Sequence, residues 1–198
     1  MGLILKDSGQ GEYKLVPAGT HIGVCDMIVD VGLQHTTHAG EPKIQHKVYI
    51  RWELPNERLE DGRPMTVGCL YTMSFGRNAY LRRDLEAWRG RAFTAEELAG
   101  FDLTSVAGKA CQVVVTHSDD GQWANVKGLA GIPKGMEHPK AENPIIIFDV
   151  DNPHNLDDLP PWLQKKYAER AISGGNVPVH APNETPHSAL DIDDSIPF

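Results

Sequence analysis

The fold is decided by GTHIGVCDMIVDV, residues 19–31, and by KIQHKVYIRWEL, residues 43–54. Both segments are rich in β-branched residues, and the second alternates strictly between apolar and polar positions, which is typical of a half-buried strand. This alternation places Val48, Ile50 and Trp52 on one face. We therefore predict a hairpin with one face in a core and a polar loop between its strands, from Gly32 to Pro42.

The opposite face of the second strand carries Lys47, Tyr49 and Arg51, and Lys43 precedes them. A tyrosine between two cations suits a nucleic-acid strand, because bases stack on aromatic rings while Lys and Arg contact phosphates. An amphipathic hairpin with ordinary solvated charges explains the same pattern. The hairpin by itself leaves both interpretations open.

Composition restricts the class of protein. The chain has 198 residues, 40% of them hydrophobic, which is enough for one domain with appendages or for two small domains. No apolar run approaches the roughly 20 residues of a membrane helix, and the first residues lack the basic-then-apolar form of a signal peptide. We therefore expect a cytoplasmic protein in which Cys25, Cys69 and Cys111 are buried free thiols.

The net charge of −8 is unevenly distributed. Residues 1–150 carry 16 Lys or Arg and 19 Asp or Glu, whereas residues 151–198 carry 3 and 8. The body is thus only mildly acidic. It contains two basic tracts, which are Lys43, Lys47 and Arg51, and then Arg77, Arg82, Arg83, Arg89 and Arg91.

The middle of the chain predicts a third strand followed by a helix. Residues 65–75 alternate, and the side that carries Tyr71 and Phe75 is expected to face the core, although either ring could instead stack on a base. Residues 77–89 then place an apolar stripe at helical spacing, and Gly90 is positioned to end the helix. The stripe consists of Leu81, Leu85 and Trp88. The arginines beside this stripe are expected to be solvated.

A second hairpin is predicted from residues 108–117 and 122–129, because the Asp-Gly pair between them favours a tight turn. Trp123 and Lys127 share one side of the last strand and form a second pair of an aromatic ring and a cation. Burial of Trp123 in the core and exposure of its ring both fit this pattern.

Residues 157–172 predict a further helix, with acidic residues ahead of it and prolines in its first turn. Leu163, Tyr167 and Ala171 are expected to pack inward. From residue 176 the chain has little to bury, so we expect disorder there.

The order of three strands, a helix and two strands is that of an OB-fold, a small five-stranded barrel. We therefore predict an all-β OB-fold barrel with accessory helices. The usual ligand face of this fold lies on strands two and three, where Lys47, Tyr49, Arg51 and Tyr71 would lie. Alternation alone also fits another small barrel or a sandwich.

The segment DIDDSIPF, residues 191–198, resembles the acidic C-terminal tip of bacterial single-stranded DNA-binding proteins, which ends in Asp-rich residues followed by Ile-Pro-Phe. Ile192 and Ser195 depart from the usual Phe and Asp of that tip. The resemblance implies that the tip binds partner proteins. Its partner-binding residues would be Asp191, Asp193, Asp194, Ile196, Pro197 and Phe198.

The body is similar to single-stranded DNA-binding proteins encoded by tailed phages, over most of residues 19–135. Two patterns carry this similarity: Tyr80-Leu…Leu85…Trp88-Arg-Gly-Arg-Ala-Phe-Thr…Glu97, and Gly108-Lys-Ala-Cys…Ile132-Pro-Lys-Gly135. The chain lacks a long Gly/Gln-rich linker before the tip, and a predicted helix intervenes. The tetramer of the bacterial proteins is therefore not carried over, and the oligomeric state stays open.

These resemblances imply a non-enzymatic, largely sequence-independent single-stranded DNA-binding protein of phage replication or recombination. Its tip would recruit host or phage replication, recombination and repair proteins. The implied division is an OB-fold DNA-binding domain over 1–150, an accessory helix segment over 151–175 and an acidic partner-binding tail over 176–198. The candidate DNA-binding residues are Lys43, Lys47, Tyr49, Arg51, Tyr71, Phe75, Arg77, Trp123 and Lys127.

Two other functions fit parts of the sequence. An OB-fold protein-interaction module without DNA binding fits the mildly acidic body. A DNA-processing enzyme would need a metal site, and Asp149 and Asp151 lack a third ligand at motif spacing. The histidines at 35, 38 and 46 likewise lack partners at a recognised zinc spacing. We therefore predict no catalytic residue, no metal and no cofactor.

Overall fold

A computed structural model describes residues 14–171 apart from Ala39. Within these residues the strands are β1 (Gly19–His38), β2 (Glu41–Arg58), β3 (Pro64–Thr72), β4 (Ala110–His117), β5 (Ala124–Ala130) and β6 (Ile146–Phe148). The helices are α1 (Tyr80–Arg89), α2 (Ala95–Ala99) and α3 (Pro161–Ala168). None of the helices in this part of the chain has the length and apolar character needed to cross a bilayer.

The strands form an open, mostly antiparallel sheet in the order β3-β2-β1-β4-β5. The short strand β6 pairs in parallel with residues 27–29 of β1, which follow the part of β1, residues 19–24, that pairs with β4. The ends of the sheet, β3 and β5, approach each other with Cα atoms within 8 Å. A mostly antiparallel β-protein with accessory helices is therefore confirmed, and helices α1 and α2 lie between the third and fourth strands.

The hairpin of β1 and β2 is longer than the sequence predicts. The polar segment 32–42, predicted as a loop, continues both strands, and the pairing runs out to His38 opposite Glu41. Gly32, at a register shift, has φ 73°, and Gly40 in the turn has φ 84°, values that favour glycine. The loop prediction was wrong because side chains in this ribbon are largely exposed, so its composition is polar although its backbone is paired.

One face of the sheet forms the main core. Val48, Ile50 and Trp52 are buried there as the alternation predicts. Helix α1 packs against this face through its predicted apolar stripe, and Gly90 ends the helix with φ 69°. The rings of Trp52 and Trp88 lie 6.1 Å apart. The short-range pattern of the sequence therefore predicted this layer correctly.

The other face of the sheet carries a second, smaller cluster. It consists of Met27, Val29, Val31, Phe148, Leu159 and Leu163. Leu163 of α3 is fully buried in it, and Tyr167 packs beside Phe148 with ring centroids 5.2 Å apart. The helix is shorter than the predicted 157–172, but two of its predicted inward residues are confirmed. Helix α3 and the residues before it thus cover part of the sheet face opposite the main core, which was expected to be open to solvent.

Two buried carboxylates attach the segment before β6 to the sheet. Glu53 accepts hydrogen bonds from the backbone N–H groups of Glu142 at 2.6 Å and Asn143 at 2.7 Å. Asp26 accepts one from the Asn143 side-chain amide at 3.1 Å and pairs with Arg51. Both carboxylates are fully buried. They hold residues 142–143 in place and thereby direct the following chain across the outer face.

All three cysteines are free thiols. Cys25 and Cys111 are buried as predicted, whereas Cys69 is only partly buried. Burial raises the pKa of the Cys25 thiol to about 12, so this group is protonated at neutral pH.

Candidate nucleic-acid interface

A groove of about 1300 Å³ follows β3, which is an end strand of the sheet. Residues from Thr66 to Tyr71 of β3 line it along its length. Trp123, just before β5, and Lys127 of β5 also line it, as do Trp162 and Lys166 of α3. The groove therefore unites residues that are far apart in sequence.

The groove is cationic although the whole chain is acidic. Its lining includes seven Lys or Arg residues and three carboxylic acids. The cations are Lys14, Lys47, Arg51, Arg63, Arg83, Lys127 and Lys166, and the acids are Glu60, Asp61 and Asp84. Local excess of positive charge in a cleft attracts polyanions even when the net charge of the protein is negative.

Tyr49 reaches the groove because β3 carries a glycine beside it. A Cβ atom on Gly68 would lie 2.1 Å from the Tyr49 Oη, so only glycine leaves room for the ring. The Tyr49 ring also meets Trp162 edge to face, with centroids 4.9 Å apart and planes at 90°. Tyr49 is thus half-buried between the sheet and α3.

The two cations beside Tyr49 already have partners inside the protein. Lys47 is 8% exposed, and its Nζ donates to Thr72 Oγ1 at 2.8 Å. Arg51 donates from Nε and Nη2 to the two oxygens of Asp26, at 3.0 and 2.9 Å. Both side chains line the groove, but the charge of Arg51 is paired with a buried carboxylate.

The placement of Tyr71 on the ligand face of strands two and three was wrong. Tyr71 lies directly opposite Val48 in the β2–β3 ladder, and residues paired in this way share a face. It therefore points into the main core, where it is 3% exposed and its hydroxyl donates to Asp84 Oδ2 at 3.0 Å. Burial raises the pKa of Tyr71 well above its usual value and also raises the pKa of Asp84.

Three of the candidate residues do not line the groove. Phe75 follows the end of β3 and packs against Phe93 and Phe101, with centroids 5.0 and 5.9 Å away. Lys43 is exposed on the hairpin ribbon, and Arg77 is exposed ahead of α1. The structure therefore does not bring Lys43, Phe75 and Arg77 together with the other candidates.

The three arginines of α1 were expected to be solvated; Arg83 is exposed, whereas Arg82 and Arg89 are only partly exposed and are paired with carboxylates. Arg82 pairs with Glu86 at 3.0 Å. Arg83 lies 4.4 Å from the centre of the Tyr80 ring and lines the groove. Arg89 pairs with Glu97 and lies over an aromatic ring. Helix α1 therefore contributes one arginine to the groove rather than a continuous basic surface.

Trp123 and Lys127 are both exposed, which resolves the alternative that the sequence left open. Trp123 is 43% exposed and follows the hydrogen-bonded turn between β4 and β5. Its backbone is held there: the Trp123 N–H donates to Ser118 Oγ at 3.1 Å, and its carbonyl accepts from the Ser118 N–H at 2.9 Å. The backbone of Trp123 is therefore held in place by hydrogen bonds, while its indole ring is exposed to solvent.

Sequence reasoning missed Trp162 and Lys166. The apolar pattern of the predicted helix indicates only its buried side, whereas the four-residue spacing of these two residues places them together on one helix face. Trp162 is 38% exposed. The spacing would have indicated an aromatic and cationic face, but not which surface it meets.

Among residues 14–38 and 40–171, no group of three or more His, Cys, Asp or Glu side chains is arranged to hold a metal ion. Within the hairpin, His46 Nε2 lies 2.6 Å from Asp30 Oδ1, and this hydrogen bond raises the pKa of His46.

The predicted partner-binding residues, 191–198, lie outside the described residues.

A scan against protein-family models and a search of the curated proteins found no match for this chain. A proposal about function therefore rests on the groove and on the sequence patterns.

Proposed function

We propose that this protein binds single-stranded DNA through the groove along β3, largely without sequence preference, in phage DNA replication or recombination. The observation that carries the proposal is the meeting of exposed Trp123 and Lys127 with Tyr49 in one cationic groove. Bases of a single strand stack on exposed aromatic rings, and Lys and Arg side chains follow its phosphates. A duplex keeps its base faces covered, so the aromatic residues favour the unpaired strand.

The OB-fold belongs to the same proposal. The sheet order β3-β2-β1-β4-β5 and the position of α1 between β3 and β4 support it. The close approach of β3 to β5 is what a barrel of this kind requires at its closing seam. In this arrangement the groove lies along the seam and over the second and third strands.

Replacing Trp123 by alanine is expected to weaken binding of an oligo-dT strand by about 1–3 kcal/mol, the usual contribution of one stacked base. Fluorescence anisotropy in EDTA measures this effect, and EDTA removes any metal-dependent processing. Met136→Ala is a matched control, because Met136 is 49% exposed but lies outside the groove. If the wild-type protein fails to bind oligo-dT, the protein-interaction module becomes the better explanation.

The same titrations at several salt concentrations test the phosphate contacts. Lys127→Ala is expected to reduce the slope of log K against log salt by about 0.7, the value of one contact on a single strand. Lys109→Ala is the control, since Lys109 is exposed and does not line the groove. Equal slopes for Lys127→Ala and the wild type would exclude Lys127 as a phosphate contact.

We also propose that residues 191–198 recruit replication or recombination proteins, on the strength of the sequence resemblance of this segment. Phe198→Ala is expected to strongly reduce capture of such proteins from host lysate while leaving oligo-dT affinity unchanged, because a terminal aromatic ring needs a pocket on its partner. Pull-down with the variant and the wild type measures the difference. Ser188→Ala is the control, being close in sequence but outside the segment. Undiminished capture by Phe198→Ala would contradict this role.

A further inference from the structure

Helix α3 is held on the sheet by one side and presents another side to the groove. Leu163 is fully buried in the second cluster, and Tyr167 contacts the same cluster. Trp162 is next to Leu163 in sequence, yet it lines the groove and is 38% exposed. Leu163 and Tyr167 therefore hold the helix on the sheet, while Trp162 remains partly exposed at the groove.

The orientation of Trp162 is set by the sheet. Its ring meets the Tyr49 ring at 90° with centroids 4.9 Å apart, and Tyr49 is in turn confined over Gly68. An aromatic ring that is fixed at one side and still exposed to solvent is pre-organised for stacking, because little side-chain freedom remains to be lost on binding.

Lys166 follows Trp162 by one helical turn and lines the same groove. Trp123, which directly precedes β5, and Lys127 of β5 have the same four-residue separation in the sequence. The groove is thus lined by two pairs of the form Trp-x-x-x-Lys, one at the start of β5 and one from a helix outside the five antiparallel strands.

We propose that α3 forms a second wall of the nucleic-acid site, with Trp162 stacking on a base and Lys166 contacting a phosphate. A single strand then passes along β3 between the Trp123–Lys127 wall and the Trp162–Lys166 wall. This inference rests on the proposed function and extends it to residues beyond the antiparallel strands.

Tryptophan fluorescence separates the two walls. The chain has four tryptophans, and Trp52 and Trp88 are 0% and 8% exposed, so stacking with DNA is confined to Trp123 and Trp162. Saturation with oligo-dT should quench the fluorescence of W123F through Trp162 and that of W162F through Trp123. The double variant W123F/W162F should show almost no quenching.

Affinity and salt dependence supply the second measurement. W162A is expected to weaken oligo-dT binding by roughly 5- to 150-fold, the range of one base–aromatic stack. K166Q should lower the salt slope by about 0.7. K165Q is the matched control, because the Lys165 side chain is 73% exposed, pairs with Glu169 at 3.7 Å and does not line the groove.

The outcomes are distinguishable. If W123F binds oligo-dT but loses all quenching, Trp162 does not stack and the second wall is overturned, while the proposed function stands. If W162A and K166Q both bind oligo-dT as tightly as the wild type, the second wall is likewise overturned, while the proposed function stands. Absence of oligo-dT binding by the wild-type protein would overturn the proposed function and the second wall together.

Discussion

Replacing Asp26 by alanine is expected to lower the free energy of unfolding by about 3–5 kcal/mol, the usual cost of removing one partner from a buried ion pair. Asp26 is fully buried, and the side chain of its partner Arg51 is 18% exposed. Without the carboxylate, the guanidinium keeps its charge in a poorly solvated place, and the Asn143 amide loses an acceptor at 3.1 Å. Urea unfolding followed by circular dichroism measures the change.

Asp61→Ala is the matched control for Asp26→Ala. Asp61 also pairs with an arginine, Arg63, at 2.7 Å, but the two side chains are 51% and 72% exposed. Exposed pairs contribute about 0–1 kcal/mol. The double variant Asp26→Leu/Arg51→Met removes both charges and should be less destabilised than Asp26→Ala. Similar losses for Asp26→Ala and Asp61→Ala would contradict the structural role of the buried pair.

Replacing Leu163 by alanine is expected to lower the free energy of opening of α3 by about 2–5 kcal/mol, the range for a buried leucine that leaves a cavity. Leu163 is fully buried between the helix and the outer face of the sheet. Because α3 packs on the smaller cluster and not on the main core, we expect it to open locally while the main core stays folded. Hydrogen exchange of the α3 amides measures this opening.

The amides of α1 provide an internal reference, since α1 packs on the main core. Lys165→Ala is the control variant and should change exchange of α3 only slightly, because the Lys165 side chain is 73% exposed. Leu163→Ala should also weaken oligo-dT binding, as it releases Trp162 from the groove. Unchanged exchange in Leu163→Ala would show that α3 is held by other contacts.

The sequence by itself determined the elements that depend on neighbours along the chain. The alternation of Val48, Ile50 and Trp52 identified the core face of β2, and the stripe of α1 identified its buried side. Gly90 marked the end of that helix. Side-chain periods of two and 3.6 residues and the preference of glycine for positive φ act over a few residues, so a single sequence reveals them.

Only the tertiary structure decided which distant residues meet. The face of Tyr71 depends on its register opposite Val48, and the partner of Arg51 is a carboxylate on another strand. The groove joins Trp123 to Trp162, which are 39 positions apart in the chain. Such contacts depend on strand register and on the path of the chain after the sheet, and no periodicity along the sequence encodes either of them.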